Sequence, residues 1–181
     1  TAISGNTAAL TVNWPAGHAS GDLAVLIVES ANETVPTPSG WTAVSGGFVG
    51  VGTAGGASGT SLSLFYRYAT SGAMGSVSVP DSGDHQTGEM LVFRGAHDTA
   101  PFNAISTRTQ ATATTSHVVP GLTTTVDACL ILLIVGMGGD YTSSSILSGW
   151  TNADVTSIVE RTDFSSTAGN GGGAGAATAK R

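Results

Sequence analysis

Apolar and polar residues alternate along much of this chain with the period of two that marks a half-buried strand. Leu10, Val12 and Trp14 share one face of their segment. Leu62, Leu64, Tyr66 and Tyr68 share one face of another, with Ser63, Phe65 and Arg67 opposite. Two stretches break the alternation by being apolar on both faces, Leu23–Val28 and Cys129–Val135. A strand with one face in water alternates. Both faces of these two are therefore expected to be covered, by an opposing sheet on one side and by a loop or a neighbouring subunit on the other. Each large aliphatic side chain so buried contributes ~1.5–3 kcal/mol. Shorter strands are predicted at Ser76–Val79, ended by Pro80, and at Glu89–Arg94, since proline has no N–H to offer a ladder. No capped helical period occurs.

The two doubly apolar strands belong to a repeated plan. Asp22 and Asp127 open them, and Trp41 and Trp150, each after Ser-Gly, close the loops that follow. Leu64-Phe65-Tyr66-Arg67 has its echo in Ile158-Val159-Glu160-Arg161. One domain over residues 1–181 is expected, with a first half at about 7–95, a crossover at 96–116 and a second half at about 117–181. The second half has no counterpart of the EMLVFR strand, so its last strand is expected to be missing. Ser45–Thr60 is expected to be a long mobile loop, and Gly169–Gly175, within the Gly/Ala-rich tail Ala168–Arg181, a linker or loop. Gly46–Gly59 and Gly169–Gly175 do not read as phosphate cradles, because neither joins a strand to a helix with a following Lys-Ser/Thr.

Composition narrows the class. The chain has 181 residues, only 10% of them charged, with 12 acidic against 6 basic side chains and a net charge of −6. Surface polarity must come from Ser, Thr, Asn and the 26 glycines, which suits short strands and many turns. Nucleic acid is an unsuitable partner, since phosphate binding needs clustered Lys and Arg and only Lys180 and Arg181 are adjacent. The longest apolar run, Ala128–Val135, falls well short of the ~18 residues of a membrane helix, so no membrane partner is expected. Cys129 is the one cysteine and is expected to be a buried, inert thiol.

Candidate chemistry is sparse. Trp41 and Trp150 present indole faces that suit sugar C–H edges and are the candidate glycan contacts. Their matched positions argue instead for plugging the ends of a sandwich. Asp81, Asp84 and His85 offer ligand atoms in PDSGDH, without the spacing of an EF-hand loop, and read as solvated turn residues. Glu29 and Glu33 read likewise as turn-flanking. Asp22 and Asp127 are expected to cap the turns entering the central strands. His18, His85, His97 and His117 are available as bases, but no nucleophile elbow, HExxH or phosphate loop accompanies them. No catalytic, cofactor-binding or metal residue is assigned. The doubly apolar strands point to assembly, with Leu26, Val28, Ile131 and Leu133 as the candidate assembly surface.

The ordered set SGDLAVLIVES, PSGWT, LFYRYAT, LVFRGAHDTAP, GLTTTVDACLILLIV and SGWT resembles a group of jelly-roll β-sandwich proteins of tailed bacteriophages, found as capsid decoration, head-fibre, tail or tail-fibre components. The likeness covers most of residues 7–168. It implies an all-β, two-sheet antiparallel jelly-roll sandwich built from two similar halves. It also implies a non-enzymatic role on the virion surface, with the major capsid protein or other virion proteins as partners and a homo-oligomer, a trimer by preference. The group's final apolar strand is the part this chain lacks. The alternative is a carbohydrate-binding or host-adhesion module, with a host glycan as ligand.

Overall fold

The computed structural model describes residues 2–4, 8–143 and 145–180, the first three by their backbone alone. Arg181, half of the adjacent basic pair, lies outside them. Ten strands follow in order: β1 (Ala2–Ser4), β2 (Leu10–Asn13), β3 (Leu23–Ser30), β4 (Thr42–Val51), β5 (Thr60–Tyr68), β6 (Ser76–Val79), β7 (Gln86–Phe93), β8 (Leu130–Gly138), β9 (Thr156–Ser166) and β10 (Gly172–Lys180). They form a five-stranded sheet in the order β1-β7-β3-β5-β4, a three-stranded sheet β8-β10-β9 and a pair β2-β6. Every pairing is antiparallel. The protein is all-β and sandwich-like, with the five-stranded sheet in the middle.

Strand β3 explains that arrangement. It lies between β5 and β7, and all eight of its residues are buried. Ala24, Leu26 and Val28 enter one core, shared with Val12 and Trp14 beside β2, with Val77 and Val79 of β6, and with Trp41. Leu23, Val25 and Ile27 enter a second core on the opposite face, against Phe164 of β9 and Ala174 and Ala176 of β10. The expected double coverage is present, but the chain supplies both covers from its own strands, and no loop or neighbouring subunit is needed at β3. Leu26 and Val28, each 0% exposed, are consequently core residues and cannot serve as an assembly surface.

Two segments expected to be loops are strands. Ser45–Val51 belongs to β4, which pairs with β5 across an irregular register between Ala43 and Phe48, and the loop proper is residues 52–59. The tail is β10, paired on both sides with β8 and β9. Its first eight residues, GGAGAATA, are all buried. Their small side chains let the second sheet approach the first closely. The repeated plan also meets unequal surroundings. Where β3 is central and buried, β8 is an edge strand, half-exposed through most of its length.

The turn before β3 is held by Asp22. Its carboxylate accepts from the Ala19 amide at 2.8 Å and from both Nε and Nη2 of Arg94, at 3.0 and 2.9 Å. Bonds from Arg94, then from the Ala19 amide, hold its pKa below the ordinary carboxylate value. Asp127 is exposed and has no such partners among the described residues, so the expected matching cap is not found among them.

Candidate functional site

The second sheet covers the first only in part. Strand β9 packs on β7, β10 on β3 and β8 on β5, whereas β4 has no comparable partner among the described strands. The uncovered region is a cleft of about 960 Å³ with a predominantly apolar floor, to which β4 and β5 contribute Val49, Leu62 and Leu64 and β8 contributes Leu132 and Ile134. Gly136 makes this close approach possible, since a Cβ there would stand 2.7 Å from Cγ of Leu62.

Residues 94–129 form the other wall and have no regular secondary structure. Two contacts fasten this strap to the central sheet and a further pair of hydrogen bonds closes it on itself. The Tyr68 hydroxyl donates to the His97 carbonyl. Phe102 meets Tyr66 edge-on, with ring centres 5.3 Å apart, in the favourable range for a tilted aromatic pair. Asn103 and Thr125 exchange two hydrogen bonds, of 2.9 and 2.8 Å, that close the strap on itself. Along the rim stand apolar side chains in water: Val118 at 62%, Val126 at 55%, Leu130 at 49%, Leu122 at 41% and Ile105 at 38% exposed. Single exposed apolar residues are ordinary, but a contiguous set around a groove marks an interaction surface.

The free edge of β8 borders the cleft. Exposed edges normally carry a device against unwanted pairing, such as brevity, charge or an irregular register. Strand β1 has three residues. Strand β4 has the break between Ala43 and Phe48. Strand β9 carries Glu160, Arg161 and Asp163 and two register irregularities against β10. Strand β8 has none of these. Its nine residues, LILLIVGMG, contain no charge and no proline, and they pair with β10 in one unbroken register. Ile131 and Leu133 lie on it and are half-buried, at positions that alternate with Leu132 and Ile134. Of the four residues expected at an assembly surface, these two are the accessible ones.

The two tryptophan candidates lie apart from the cleft. Trp41 is 7% exposed and stands 5.9 Å from Trp14, ring centre to ring centre. Its indole is a core element and offers no open face to a sugar. Trp150 is half-buried, with Nε1 donating to Glu160 at 2.9 Å. Cys129, expected to be buried, is half-buried beside the Val126 carbonyl.

Asp84, His85, Glu29 and Glu33 converge at one end of the sheets, although sequence reading left them as separate turn residues. His85 and Glu29 are each 0% exposed, so His85 is not the solvated turn residue expected, and Glu29, read as flanking a turn, is buried in β3. Nε2 of His85 lies 3.3 Å from the Glu29 carboxylate and Nδ1 lies 3.7 Å from that of Asp84. Thr60 donates to the second Glu29 oxygen at 2.9 Å. Among the described residues no group of three or more His, Cys, Asp or Glu side chains is arranged to hold a metal ion.

No family model, no curated protein and no solved structure matches the chain.

Proposed function

We propose that this chain is a non-enzymatic structural protein that works by association, with the apolar cleft and the open β8 edge as the surface on which another subunit seats. The observation that carries the reading is the undefended β8 edge running beside an apolar-floored groove. A free edge presents alternating N–H and C=O groups spaced for an extended chain, and pockets beside it take alternate side chains of that chain. The apolar rim then gains ~25 cal/mol for each Å² removed from water.

The resemblance to jelly-roll proteins of tailed phages supports a place for this surface in a virion. There the chain would act as a capsid decoration or cement protein, or as a head-fibre protein, bound to the major capsid protein or to its own copies as a trimer. In that reading the stacked sheets are a two-sheet jelly roll made of two related halves. The adhesion reading ranks second, because Trp41 is enclosed and Trp150 is bonded to Glu160.

The test is quantitative mass spectrometry of purified particles from the source culture, scaled to the major capsid protein. Hundreds of copies per particle are expected for a decoration protein. Single digits or low tens would move the protein to the tail, and absence from particles would remove the virion reading.

A further inference from the structure

Glu29 is a carboxylate buried inside a sheet interface, where an uncompensated charge is strongly unfavourable. Its side chain belongs to the face of β3 that meets the second sheet, and it touches three elements at once. His85 reaches it from the turn before β7 at 3.3 Å, and Thr60 from β5 at 2.9 Å. From the second sheet comes Gly172, the first residue of β10. A Cβ at Gly172 would collide with the Glu29 carboxylate, so only glycine lets the backbone of β10 lie against that group. The turn leading into β10 is fastened at the same place, by Asn170, whose Nδ2 donates to the Gly55 carbonyl at 2.8 Å and to Asp84 at 3.1 Å.

We propose that the Glu29–His85 pair is a proton-sensitive latch that fastens the start of β10, and with it the second sheet, to the central sheet. The groups facing the pair come from every element around it, and beyond His85 itself they are acidic or neutral. Asp84 faces Nδ1 of His85 at 3.7 Å. The Glu33 carboxylate lies 2.6 Å from where a Cβ on Gly83 would stand, and Asp81 accepts from the Gly83 amide at 2.8 Å. Asp140 lies directly against Gly171. The imidazolium of His85 is therefore the cation that compensates Glu29, and when a proton leaves to solvent the neutral ring can still donate from Nε2, but the buried carboxylate has lost its compensating charge.

The direction of the effect follows from both partners. Burial alone would lower the pKa of His85, but the hydrogen bond and charge of Glu29, with Asp84 adding to them, leave it raised above the ordinary 6.5. Burial raises Glu29 above its ordinary 4.5, against the bonds from His85 and Thr60. A raised pKa in the folded state stabilises below the unfolded value and is lost as pH climbs through the folded one. The latch is tightest on the acid side and loosens as pH rises past that of an ordinary histidine.

Amide hydrogen exchange of the full chain, corrected for the intrinsic pH dependence, tests this directly. Protection at the Gly172 end of β10 should fall about tenfold for each unit by which the fold raises the His85 pKa, as pH rises past histidine's ordinary 6.5, while protection of β3 holds. Glu29→Gln should abolish that pH dependence. His85→Gln should do the same and gives a second route if the first variant folds poorly. Unchanged protection of β10 in the unsubstituted protein across this range would overturn the latch. So would a Glu29→Gln protein that keeps the original pH dependence.

Discussion

Leu26 and Ile131 occupy matching places, each four residues after an aspartate that opens an apolar strand, yet their surroundings separate them. Leu26 is fully enclosed between the central sheet and the β2-β6 pair. Leu26→Ala should cost about 2–5 kcal/mol of stability, the range for truncating a buried leucine, read as a drop in urea midpoint. Ile131 is half-buried on the edge strand β8, so Ile131→Lys should lower the urea midpoint less than Leu26→Ala does and reduce self-association or particle binding, measured by light scattering after size exclusion. A folded variant that associates as before would remove β8 from the interface. Asp22 makes a third residue-scale test. Arg94 and the Ala19 amide hold its pKa below the ordinary 3.8. A lowered pKa gives stability that is present above the unfolded value and lost as pH falls through the folded one. Arg94→Met should therefore reduce the loss of stability that the protein suffers on acidification below about pH 4, the ordinary range of an aspartate, as compared by denaturation at pH 6 and pH 3.

At the scale of elements, the strands that could be read in the sequence are those whose residues carry the signal themselves. Leu10, Val12 and Trp14 alternate with polar neighbours and are buried as expected, and Leu62–Tyr68 divides its side chains between the two cores as the alternation requires. Strand β10 could not be read this way. Glycine and alanine have low strand propensity, and nothing in GGAGAATAK marks a core. It becomes a central strand because β8 and β9 pair with it on both sides and the central sheet lies close against it. That closeness is measurable. Ala176 is 0% exposed, so Ala176→Leu should overpack the interface and cost about 1–3 kcal/mol, seen as a lowered Tm. A stability equal to that of the unsubstituted protein would mean that the two sheets are not in close contact there.

For the whole molecule, the unequal number of strands in the two large sheets is the consequential fact. Five strands face three, and the space left over β4 is the cleft. In the same arrangement β8 lies at an edge and β3 in the middle of its sheet. An added strand at β8 would extend the smaller sheet over the uncovered floor. A peptide corresponding to such a partner strand, or the particle surface itself, should protect the amides of β8 from exchange on binding and leave those of β3 unchanged.

The order of apolar and polar residues by itself determined that this chain is all-β, that β3 is covered on both faces, and that Asp22 holds the turn before it. These depend on local periodicity and short-range hydrogen bonds, which a linear sequence displays. Only the tertiary structure decided which strands lie at edges, that a Gly/Ala tail forms a sheet centre, and that Glu29 and His85 meet under β10. Those outcomes depend on which distant segments pair and how closely two backbones approach, and neither is encoded in the period of a single strand.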